Sequence, residues 1–109
     1  MTLHGAPGEV APGAFTPSAD GARWSFAGAL TMDTAATALQ ASLALRWPSS
    51  GVVDFAGLAQ ADSAALAVMI ELKRRGEVEG RALSLSGVPA TLASLAVVYG
   101  VETLLHAAA

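Results

Sequence analysis

The chain has no cysteine among its 109 residues. That excludes a disulfide framework and any thiolate-held metal site, and it fits a reducing compartment. Basic residues are also scarce. Six Lys and Arg against nine Asp and Glu give a net charge of −3, the wrong balance for a surface that tracks nucleic-acid phosphates. Long hydrophobic runs are missing. The longest, residues 64–70, falls far short of the roughly 20 apolar residues that span a bilayer. No basic stretch followed by an apolar core opens the chain, so no secretory signal is expected. A glycine-rich phosphate loop ending in Gly-Lys-Ser/Thr is absent too, so ATP binding through a P-loop is not expected. The two histidines, His4 and His106, lie near opposite ends and suggest neither a catalytic base nor a metal site.

What the chain does have is alanine. The apolar fraction is 53%, but 25 residues are alanine, which favours helix and close packing while burying little area per residue. Large apolar side chains must therefore concentrate in a few elements. The length suits one domain with a modest core. Residues 1–13, with Pro7, Pro12 and three glycines, read as a flexible leader; residues 14–109 form the domain.

Residues 14–17 and 22–27 flank Ser18-Ala19-Asp20-Gly21, whose Asp-Gly marks a hairpin. Pro17 suits an edge strand, and Trp24 and Phe26 share one face. Residues 31–46 read as a helix capped by Thr31 or Asp33, with Leu39, Leu43 and Arg46 at helical spacing. Residues 52–56 form a short buried strand, a few loop residues follow, and residues 62–75 form a second helix ended by Gly76. Residues 82–86 alternate, with Leu83 and Leu85 on one face. Pro89 sits in the first turn of a third helix over residues 90–99, and residues 101–105 make a final turn or strand. Strand–helix–strand units impose parallel pairing. The fold class is therefore α/β, a small mixed β-sheet with helices mainly on one face.

The chemistry concentrates where Asp62 and Ser63 open the second helix. A hydroxyl and a carboxylate meet there at a helix N-terminus, where N–H groups converge and the dipole favours negative charge. Such a spot caps a helix, carries a phosphoryl group or docks a partner. Capping is the plain reading for Asp62. Along the helix, Ala65, Leu66, Met69 and Leu72, with Val68 at the edge, form the core face. Ser63, Ala67, Ile70 and Arg74 make a separate flank stripe, less polar than a solvated face and suited to contact with a protein. A rival reading has Ile70 tucking under a loop. Asp54 lies among apolar neighbours, facing a loop or pairing with a backbone amide. Lys73-Arg74-Arg75 is a charge run at a helix C-terminus, where cations are favoured in any case. Trp24 and Trp47 read as packing residues. No nucleophile–base pair or metal cluster can be assembled, so an enzyme is not expected and no cofactor is implied.

These pieces resemble the STAS domain, in order along residues 23–105. They are Gly28-Ala29-Leu30-Thr31, then Val53-Asp54-Phe55-Ala56-Gly57-Leu58, then Asp62-Ser63-Ala64-Ala65-Leu66-Ala67. Pro89, Leu92, Leu95-Ala96, Tyr99-Gly100-Val101 and Leu104-Leu105 complete the series. Within that superfamily the chain is most similar to the MlaB-type branch, cytoplasmic subunits of a phospholipid ABC transporter. The resemblance implies a non-catalytic domain that binds the transporter's MlaF-type ATPase subunit at the position of Asp62 and Ser63, and the flank stripe read from helical spacing adds Ala67, Ile70 and Arg74 to that contact. It would sit in the cytoplasm, at the inner membrane only through that partner, with no nucleic acid and no direct membrane insertion. The alternative is an anti-sigma-factor antagonist, whose serine at the position of Ser63 is phosphorylated by a partner kinase. Antagonists follow that serine with Ser-Gly-Leu, where this chain has Ala64-Ala65-Leu66.

Overall fold

The Asp-Gly turn forms the expected hairpin. Asp20 accepts from Ser18 Oγ (2.7 Å) and from the Ala22 N–H (3.0 Å), closing residues 18–21 between strands β1 (Ala14–Pro17) and β2 (Arg23–Leu30). The two pair antiparallel, Phe15 opposite Phe26. The computed structural model describes residues 12–103. Most of the expected leader, His106 and Leu104-Leu105 lie outside them. At the leader's end, Pro12 bridges to Ala29 and the Gly13 N–H donates to Ala29 O (2.9 Å).

Strand β3 (Val52–Ala61) runs parallel to β2, and β4 (Ser84–Ser86) parallel to β3, giving a four-stranded mixed sheet in the order β1-β2-β3-β4. Residues 57–61 were expected in part as loop, but they continue β3. Gly57 pairs with Ala27 and Ala61 with Leu30, through register shifts that let the strands stay in contact. Because β4 pairs no further than Asp54, this half of β3 has β2 alone beside it. Its side chains are exposed or half-buried, so no buried alternation marks it as strand.

Three helices cover one face: α1 (Ala35–Ser42), α2 (Ser63–Val78) and α3 (Ala90–Val98). The sheet gives the core four aromatics, Phe15, Trp24, Phe26 and Phe55, and Trp47 joins them from the segment after α1. The helices meet them with Ala38, Ala65 and Ala96 beside Leu66, Val68, Met69, Leu72 and Leu92. Both tryptophans are packing residues, each also donating its indole N–H to a backbone carbonyl, Trp24 to Arg46 O and Trp47 to Ala82 O. The other face carries Thr16, Arg23, Ser25 and Ala27 into solvent, the one-sided burial common in sheets with an antiparallel edge.

The helix boundaries need correcting. α1 is half the expected length. Thr34 spends its hydroxyl on the preceding turn, accepting from the Thr31 N–H (2.9 Å) and donating to Ala29 O (3.0 Å), so residues 31–34 form a turn and the continuous helix starts at Ala35. At the other end, i→i+3 bonds from Leu43, Ala44 and Leu45 unwind the chain, leaving Leu43 exposed and Arg46 beyond the helix. α2 runs through Gly76 to Val78. Gly76 is buried under Trp47, and the stop falls at Gly80, whose φ of +68° permits the paired bonds Arg81 N–H to Gly76 O (2.7 Å) and Gly80 N–H to Glu77 O (3.2 Å). Pro89 is the N-cap of α3, one residue before the first turn.

Candidate functional site

Leu30 and Ala61, the last residues of β2 and β3, are paired neighbours. Both strands therefore release the chain at the same end of the sheet, where open α/β folds place their sites. After β2 the chain makes a turn over residues 31–34 before α1; after β3 it passes directly into α2.

Asp62 joins these two exits. Its extended backbone ends the strand, and its Oδ1 accepts from the Ala64 N–H at 2.8 Å, capping α2. Its Oδ2 accepts from the Met32 N–H at 3.0 Å, across to the turn after β2. Capping was legible in the sequence; the second bond was not, because Met32 lies inside the stretch expected to be helix. The signal available was Thr31 and Thr34 on either side of Met32-Asp33, since their hydroxyls and the Asp33 carboxylate can bond local backbone in competition with helix.

Ser63, the first residue of α2, is exposed, and so is Ala67 one turn on. Ile70 is half-buried and packs against the core cluster, placing it between the two readings given for it. Arg74 is exposed and held by Glu71 in a two-pronged pair, Nε to Oε1 at 2.9 Å and a terminal nitrogen to Oε2 at 2.6 Å. That pair holds the Glu71 carboxyl below its ordinary range. The flank stripe thus consists of Ser63 and Ala67 open to solvent, Ile70 partly covered and Arg74 already paired. The core face is as expected: Ala65, Leu66, Val68, Met69 and Leu72 are all buried.

The charge run beside the stripe splits three ways. Arg75 donates to the buried Ser42 Oγ (2.9 Å) and lies over the Trp47 ring at 5.6 Å. Lys73, read as part of a charge run at the helix C-terminus, is buried, with its Nζ lacking a hydrogen-bond partner. Burial pushes that ammonium below the ordinary lysine range, and Glu77 one turn on partly offsets it. Asp54 Oδ1 accepts from the Ala56 N–H (2.9 Å), and Oδ2 faces Arg23 at 3.5 Å.

Among the described residues no group of three acidic or histidine side chains converges to hold a metal, and no helix is long and apolar enough to cross a membrane. A groove of about 400 Å³ lies between α1 and α2, lined by Ala36, Leu39, Gln40, Leu43, Glu71 and Arg75. The ends of β2 and β3 thus present a capped helix and a tied turn.

A family model described as Mlab, STAS domain, matches residues 17–106. The chain belongs to this STAS family. Comparison with curated proteins gives no match. STAS domains are generally non-catalytic. In this STAS domain the pair Asp62-Ser63 stands at the start of α2, both exposed, with the Asp62 carboxylate held by two backbone amides.

Proposed function

We propose that the chain is the non-catalytic STAS subunit of an Mla-type phospholipid ABC transporter. It binds the cytoplasmic ATPase subunit and supports its assembly and activity in maintaining outer-membrane lipid asymmetry. The observation that supports this reading most is the match to the Mlab-described family over residues 17–106. The geometry at α2 suits it: small exposed side chains, Ser63 and Ala67, stand on a helix whose start is fixed by Asp62. Asp62, Ile70 and Arg74 border that patch. Binding through this patch stabilises the partner's active arrangement by differential affinity. The ATP chemistry belongs to the partner, and the subunit stays cytoplasmic, reaching the inner membrane only through it.

Capture from the native cell followed by mass spectrometry tests the reading, the expected prey being a phospholipid-transporter ATPase. Ala67→Arg abolishes that capture without lowering the melting temperature. Met69→Asp instead unfolds the domain by burying an unpaired charge. Ile70→Asp does some of both, since Ile70 is half-buried, so Ala67 is the cleaner probe. Recovery of a serine kinase and stoichiometric phosphate on Ser63 would replace this reading with the anti-sigma-factor antagonist. The exposed Ser63 hydroxyl supports that second reading.

A further inference from the structure

Among the described residues Met32 is the most exposed large apolar side chain, at 79%. A lone exposed apolar residue needs no explanation. What sets Met32 apart is the frame that carries it. The Thr34 hydroxyl accepts from the Thr31 N–H and donates to Ala29 O. The N–H groups of Thr34 and Ala35 both reach Thr31 O, at 3.0 and 2.8 Å. The Met32 N–H itself is taken by Asp62 Oδ2. The backbone under Met32 is thus tied within its turn and across to the start of α2, while the side chain stands in solvent. An adaptable thioether on an ordered base loses little backbone freedom on binding, and methionine is enriched in interface cores.

We infer that Met32 is a second contact of the docking surface, and that Asp62 is a positioning residue that holds the Met32 turn in register with Ser63 and Ala67. The inference rests on the transporter reading: the occupant is the ATPase subunit, which receives the Met32 side chain in an apolar cleft. Asp62 serves through both oxygens, one capping α2 and one reaching Met32, and a residue with a single side-chain oxygen does only the first.

Binding of the full chain to the purified ATPase subunit of the same genome's phospholipid transporter tests this, with Met32→Glu, Met32→Leu, Asp62→Ser and Ala67→Arg compared with wild type. Met32→Glu weakens binding by about tenfold or more at unchanged melting temperature, and Met32→Leu stays within about twofold. Asp62→Ser keeps the helix cap, speeds hydrogen exchange at the Met32 amide and weakens binding severalfold. If Ala67→Arg abolishes binding while Met32→Glu binds like wild type, the Met32 contact is wrong and the docking reading stands. If Asp62→Ser leaves both the Met32 exchange and the affinity unchanged, the positioning role falls. A wild-type chain that fails to bind the ATPase subunit overturns both this inference and the reading beneath it.

Discussion

Lys73 is a cation held where a methylene would serve. Its ammonium is buried without a hydrogen-bond partner, and its acidity is raised chiefly by lost solvation. A lysine whose folded pKa lies below its unfolded value gives up its proton more readily in the native state. Between those two values the unfolded chain holds more protons, so stability rises with pH there, and the cost of burying the charge is present in full below the folded pKa. Lys73→Met keeps the stem's contacts and removes the charge. It should stabilise the domain by about 1 kcal/mol at neutral pH, roughly 4–8 °C in melting temperature for a domain of this size. It should also abolish the alkaline rise, which denaturant melts at several pH values would show. A mutant less stable than wild type at pH 7 would mean that Lys73 finds a partner in solution. Helical phase sets Lys73 apart from Arg74: it lies seven residues from Leu66 and four from Met69, on the core face, a signal that its place in a run of three cations hides.

Helix α2 shows what can and cannot be read at the level of an element. Its core face followed from periodicity, since Leu66, Met69 and Leu72 lie on one side whatever packs there. Its end did not. Gly76 reads as a stop signal, yet it is closely packed inside the helix: an added Cβ would lie 2.9 Å from Arg81 O and 3.3 Å from Trp47 Cζ2. Alanine is favoured over glycine in a helix by about 1 kcal/mol. Here the contact with a backbone carbonyl outweighs that gain, so Gly76→Ala should lower the melting temperature although it improves helix propensity. A stabilised Gly76→Ala variant would show that the helix has room to shift away from Trp47. The same limit explains α1 and β3. Thr34 turns its hydroxyl back to Ala29, and residues 57–61 pair on one side only, choices set by neighbours that local pattern does not contain.

At the scale of the whole molecule, the α/β class, the mixed sheet and the Asp62 cap were legible because hairpin, parallel crossovers and cap each leave a local mark. The tie from Asp62 to Met32 spans 30 residues and leaves none. The layer of alanine between helices and sheet has a further consequence, in heat capacity. Ala38, Ala65 and Ala96 occupy core positions, where each buries less apolar area than a larger side chain would. Unfolding therefore exposes less apolar surface for the chain's length, and apolar hydration is what raises the heat capacity of the unfolded state. Calorimetry should give a heat-capacity increment at or below the lower end of the usual ~12–15 cal/mol/K per residue. The stability curve is then broad and shallow: cooling weakens the domain little, and its urea dependence is gentle as well, since that slope scales with the same exposed area.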